Sequence, residues 1–210
     1  MPRGSVREPA RAAEPVFDAV IAAARTGADW ALAALYRQFQ PAILRYLRAR
    51  VPGQEEDVAS DVWLAAARGL SGFEGGESDF GRWIFTIARR RAVDLGRKSQ
   101  RRRTDAADPE DFANVAGGVD PQEALAARAA GDDAVARIVA LLPKAQADVV
   151  LLRVVAGLSV TEVAEVLGCS ANRVSVTQHR ALHALARKLG PGGALSWIED
   201  SRLDLKDSDT

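Results

Sequence analysis

The stretch from Ser159 to Val174 leaves the chain few ways to fold. Ser159 and Glu162 are spaced as a capping box that starts a short helix. Ala164 is small where a second helix would cross closely, Gly168 can take the positive φ of a tight turn, and Ser170 can cap the second helix. Val163, Leu167 and Val174 close a small core. This spacing predicts a helix-turn-helix. An ordinary helical hairpin can share the turn, so the surface of the second helix decides the reading. At about 100° per residue, Val174, Ala181 and Leu185 fall together and must face inward. Asn172, Val176, His179, Arg180, His183 and Arg187 fall opposite, with Arg173 at the flank. Asn and Arg can read base edges, while Arg187 and Lys188 are placed for phosphates. His179 and His183 are spaced i, i+4, but no Cys or acid completes a metal site, and no metal is expected.

The rest of the chain repeats apolar residues at helical spacing. Phe17, Val20, Ile21 and Ala24 form one face, stopped by Gly27. Trp30, Leu32, Leu35, Phe39, Ile43, Leu44 and Leu47 form the next, with Pro41 predicting a kink or restart. A third helix is expected over residues 55–70, with Val58, Val62 and Ala65/Ala66 inward, followed by a glycine-rich loop over 71–77. Ser78 or Asp79 can cap a fourth, whose inner face carries Phe80, Trp83/Ile84, Ile87/Ala88 and Leu95. Asp120-Pro121-Gln122-Glu123 signals another start, and helices are expected over 121–142, 144–156, 160–167 and 171–188.

The expected fold is all-α: two small helical domains, 16–103 and 131–189, joined by a flexible acidic linker over 104–130. Residues 1–15 read as a disordered lead-in. The acidic tail, 190–210, is expected to be disordered, although Trp197, Ile198, Leu203 and Leu205 would also suit a short amphipathic helix. No run of 18 apolar residues suggests a membrane span. Cys169 is the single cysteine, so it fills the turn rather than a disulfide, and a reducing cytoplasm fits.

The formal net charge is zero, from 28 basic and 28 acidic residues, which at first argues against a nucleic-acid partner. The zero is a cancellation. Residues 82–103 carry nine basic side chains and one acid, residues 104–133 eight acids and one base. Residues 144–188 carry six bases and three acids, and from residue 199 onward there are five acids and two bases. The basic block is interleaved with Phe80, Trp83 and Phe85, a composition that suits single-stranded nucleic acid. On the apolar stripe, the same aromatics also suit a core.

Two motifs then converge. Glu56-Asp57-Val58-Ala59-Ser60-Asp61-Val62-Trp63-Leu64, followed by the segment Phe80 to Arg97, resembles the first conserved domain of extracytoplasmic-function (ECF) sigma factors. Leu141-Leu142-Pro143 through Arg153, Gly157-Leu158-Ser159, the turn motif and Arg180-Ala181 resemble their second domain. The resemblance covers roughly residues 16–189. It implies a non-catalytic, cytoplasmic subunit that gives bacterial RNA polymerase its promoter specificity, without a cofactor. By position, the helix with Asp57, Val58, Asp61 and Trp63 would bind the clamp of the polymerase's largest subunit. The flap of the second-largest subunit and an anti-sigma factor are further partners the resemblance implies. Loop 71–79 and Phe80 would hold a flipped base of the −10 element, with Trp83, Arg89, Arg90, Arg91, Arg97 and Lys98 on the melted strand. Ser170, Asn172, Arg173, Val176, His179 and Arg180 would meet the −35 element. The chain departs from the family pattern at Ser60, Arg90, Ser175 and Thr177. A stand-alone repressor could carry a similar turn, but would leave the 82–103 block and the Asp57/Asp61 pair without a role. No phosphate-binding glycine loop or nucleophile-base set supports an enzyme.

Overall fold

A computed structural model describes residues 17–105 and 132–200. The first lobe contains α1 (Phe17–Arg25), α2 (Asp29–Arg50), α3 (Glu55–Gly69), a 3-10 turn (Leu70–Gly72) and α4 (Glu77–Asp105). The second contains α5 (Asp132–Ala140), α6 (Lys144–Val154), α7 (Val160–Leu167) and α8 (Ala171–Asp200). The described residues contain no strand, in keeping with the all-α expectation. The lead-in, the linker from residue 106 to its end with the Asp120 helix start, and the tail beyond residue 200 lie outside the described residues.

Three local expectations are corrected. α2 runs through Pro41 as one helix. The proline removes one hydrogen bond, but Leu35 before it and Ile43, Tyr46 and Leu47 after it are buried in the same core, which holds both halves in line. Ser78 and Asp79 lie inside α4 rather than at its cap. Asp79 still serves the helix start, its carboxylate accepting from the Gly76 N–H at 3.1 Å. The backbone of α8 stays helical to Asp200, through the first half of the tail expected to be disordered.

The first lobe closes on aromatic rings. Phe80 is fully buried and lies 4.9 Å from Phe39, 5.5 Å from Phe73, 5.6 Å from Trp83 and 6.1 Å from Phe17, centroid to centroid. Gly69 lets Trp83 approach: a Cβ there would sit 2.9 Å from the indole ring. In the second lobe, Leu151, Leu152, Val163, Val174, Ala181 and Leu185 form the centre of the core.

The lobes pack on each other, α5 against α2 and α7 against the start of α4. Gly81 is buried there, where a Cβ would touch Phe39 of the first lobe and Leu158 of the second.

Candidate nucleic-acid and partner interfaces

The helix-turn-helix forms as the sequence predicts. Ser159 accepts the Glu162 N–H at 3.2 Å, and the Glu162 carboxylate accepts the Ser159 N–H at 2.7 Å, completing the capping box of α7. Gly168 ends α7 at φ 66°, a left-handed conformation that a β-carbon would strain. Ser170 then accepts the Arg173 N–H at 3.3 Å and starts α8. We expect Ser159→Ala to cost about 1 kcal/mol of stability, read from urea unfolding, because the half-buried Glu162 N–H loses its partner.

Burial would raise the Glu162 carboxyl. Hydrogen bonds from Ser78 and Ser159, with the charge of Arg82, outweigh this and hold it below the ordinary glutamate value. The stability it contributes is therefore present above that ordinary value and is lost as pH falls through the lowered one.

The second helix separates its faces as the wheel requires. Val174, Ala181 and Leu185 are buried, whereas Ser170, Asn172, Arg173, Val176, His179 and Arg180 are all turned away from that core. Val176 is 42% exposed, an apolar side chain turned to solvent in the middle of a polar arc. His183 joins it, its ring 4.3 Å from that of His179. The exposed ammonium of Lys188 donates to the Leu141 carbonyl at 2.7 Å and ties α8 back to the end of α5. No cluster of metal-ligating side chains occurs among the described residues.

On α4 the cations divide. Arg90, Arg91, Arg97 and Lys98 are exposed. Arg82 and Arg89, two turns apart on one face, instead point to the second lobe. Arg82 pairs with Asp79 at 2.7 Å and also with Glu165 of α7. Arg89 approaches Asp148 of α6 at 3.6 Å. One sequence-based assignment needs correction. Phe80, expected to hold a base, is enclosed by four rings and has no exposed surface. Its aromatic neighbour Trp83 is half-buried in the same cluster.

α3 presents Asp57 and Asp61 to solvent, one turn apart. Val58 between them is buried in the first-lobe core and is not part of that surface, since it lies four residues before buried Val62 on the inner stripe of the helix. Trp63 donates its indole N–H to Gln40 at 2.6 Å and stacks obliquely on Tyr36 at 5.1 Å. With Ser60 and Leu64 these residues line an open cavity of about 390 Å³. Tyr36 and Leu64 are exposed apolar residues beside the two acids.

One group of residues was missed from the sequence. Asp148 is buried on α6, with Arg50 at the end of α2 3.0 Å away and Arg89 on its other side. Tyr46, one turn before Arg50, is fully buried, and its hydroxyl has no hydrogen-bond partner. A lone acid within the run Ala147-Asp148-Val149-Val150-Leu151-Leu152 was the available signal. No helix among the described residues is long and apolar enough to cross a membrane.

The family models for Sigma-70 region 2 and Sigma-70, region 4 match residues 35–102 and 132–185. The chain is 33% identical over 185 residues to the ECF RNA polymerase sigma factor SigD of Mycobacterium tuberculosis, covering 84% of this chain and 85% of that one. It is 34% identical over 171 residues to the ECF sigma factor BldN of Streptomyces coelicolor, covering 79% and 63%. Among solved structures, the fold is similar to CnrH in complex with the cytosolic domain of CnrY, at a TM-score of 0.59 and 24% identity over 83% of this chain and 97% of that one. The sigma factor RpoE of Bartonella quintana, in complex with the anti-sigma factor NepR, matches at a TM-score of 0.54 and 19% identity, over 74% and 96%.

Proposed function

The chain belongs to the ECF group of the sigma-70 family of RNA polymerase sigma factors, and we propose from that membership how its surfaces divide the work of promoter recognition. As a sigma factor it directs promoter-specific transcription initiation by core polymerase. The outward arc of α8, from Ser170 through Asn172, Arg173, Val176, His179 and Arg180, enters the major groove of the −35 element. The observation that carries this is the clean division of α8, with every expected base-reading residue outside and Val174, Ala181 and Leu185 inside. His183 extends the arc.

In the same reading, Arg90, Arg91, Arg97 and Lys98 hold the melted −10 strand by its phosphates, and Trp83 is the aromatic closest to it. Phe80 supports Trp83 from within the core rather than touching DNA. Asp57 and Asp61, beside the Tyr36–Trp63–Leu64 cavity, dock on the clamp of the largest subunit. Lobe two, 131–189, meets the flap. The factor has no catalytic role of its own and works in the cytoplasm, where the polymerase is. An anti-sigma factor that covers both lobes is a fitting regulator.

In vitro transcription with core polymerase tests the reading: product from a cognate promoter should depend on this chain. Arg173→Ala or Arg180→Ala should weaken recognition of one −35 base pair by about 1–3 kcal/mol. An equal loss on every promoter sequence would make those residues phosphate contacts instead.

A further inference from the structure

Residues 144–188 contain three acids, Asp148, Glu162 and Glu165, and all three face the first lobe. Glu162 accepts a hydrogen bond from Ser78, and Glu165 pairs with Arg82. Asp148 lies between Arg50 and Arg89. The bases of that lobe's recognition arc face outward. Lobe two is therefore polarised, anionic toward α4 and cationic toward solvent.

The pairing at Asp148 is close without being well directed. Arg50 Nε, Arg89 Nε, Asp148 Oδ1 and the Tyr46 hydroxyl are all buried, and none is aligned for a hydrogen bond. A buried carboxylate with one oxygen paired by charge but by no directed hydrogen bond gains little against its desolvation. Burial accordingly pushes the Asp148 carboxyl above its ordinary range against the pull of both arginines. The two arginines are thus held in place by a weakly matched anion. A phosphodiester presents two anionic non-bridging oxygens, and guanidinium forks match them well.

We propose that Arg50, Arg89 and Tyr46, continued by Arg82, form a phosphodiester-binding track for single-stranded DNA, which the carboxylates of lobe two occupy when the lobes are closed. Lobe closure and strand binding then compete for the same arginines. This rests on the reading of α4 as a DNA-binding helix, and adds Arg50 and Tyr46 to its surface. Arg90, Arg91, Arg97 and Lys98 stay exposed in the closed chain, so closure weakens strand binding without removing it.

The test uses the full chain with Cys169→Ala, Ser78→Cys and Glu162→Cys. A short bis-methanethiosulfonate bridges the two new thiols and is released by reductant. Both arms share the lost capping residue, so only the bridge differs between them. The probe is a fluorescein-labelled 20-nucleotide single strand followed by anisotropy. The bridged chain should bind about tenfold more weakly or worse than the released chain, with a salt slope smaller by about 2, since each withheld phosphate contact removes about 0.7. Asp148→Asn in the unbridged chain should bind the strand several-fold more tightly, and Arg50→Ala added to it should cancel that gain. Equal affinity and slope in the bridged and released chains would overturn the competition alone. A released chain that does not bind the strand at all would overturn the reading of α4 as well.

Discussion

Asp57→Arg with Asp61→Arg should abolish co-elution with core polymerase while leaving the circular dichroism spectrum unchanged. Both carboxylates are exposed and lie one turn apart on α3, so the substitution shifts the charge of one surface by four units without touching the core. Against a basic partner face, like charges brought together cost several kcal/mol, roughly a thousandfold or more in affinity. The effect should be read as a lost complex in size-exclusion chromatography and as lost transcription from every promoter, not one promoter class. Retained binding would remove the clamp assignment. The neighbouring cavity sharpens the expectation. Tyr36, Trp63 and Leu64 give the acids an apolar surface to desolvate against, an arrangement in which a few central residues dominate binding.

The second large effect is on folding. Phe80→Ala should destabilise the first lobe by about 3–5 kcal/mol, because a fully buried ring is deleted from among four others and the surrounding helices close the gap only in part. That is a large share of the roughly 5–15 kcal/mol that holds a domain together. Urea unfolding followed by tryptophan fluorescence measures it, since Trp83 reports from the same cluster. A variant with unchanged stability and a selective loss of −10 binding would instead return Phe80 to the DNA surface.

These two sites also mark where the sequence was legible and where it was not. The helix-turn-helix could be read because its signals are local. Ser159, Glu162, Gly168 and Ser170 act on backbone groups within a few residues of themselves, and each adopts the geometry its spacing implied. Asp57 and Asp61 were legible because a charge on a helix away from its apolar stripe is seldom buried. Phe80 was legible only in part: its helical phase put it on the inner face of α4, while its motif put it at a base. Only Phe17, Phe39 and Phe73, 63, 41 and 7 residues away, decide between them. Val58 was placed on the docking surface by its motif although its helical phase put it inside, and burial followed the phase. The polar interlobe contacts join side chains 59 to 98 residues apart. Arg50 and Asp148 are two such residues, and no local pattern pairs them.

Glu162 belongs to two structures at once. It closes the capping box of α7 with Ser159, and it receives the hydroxyl of Ser78 from α4. Thermodynamic linkage makes such sharing reciprocal. If docking of the lobes tightens the first turn of α7, whatever tightens that turn favours docking by the same free energy. A distortion of α7 on meeting the −35 duplex would thus be felt at the start of α4, more than eighty residues earlier in the chain, as a loosened grip between the lobes. The first turn of the helix-turn-helix and the start of α4 share one carboxylate.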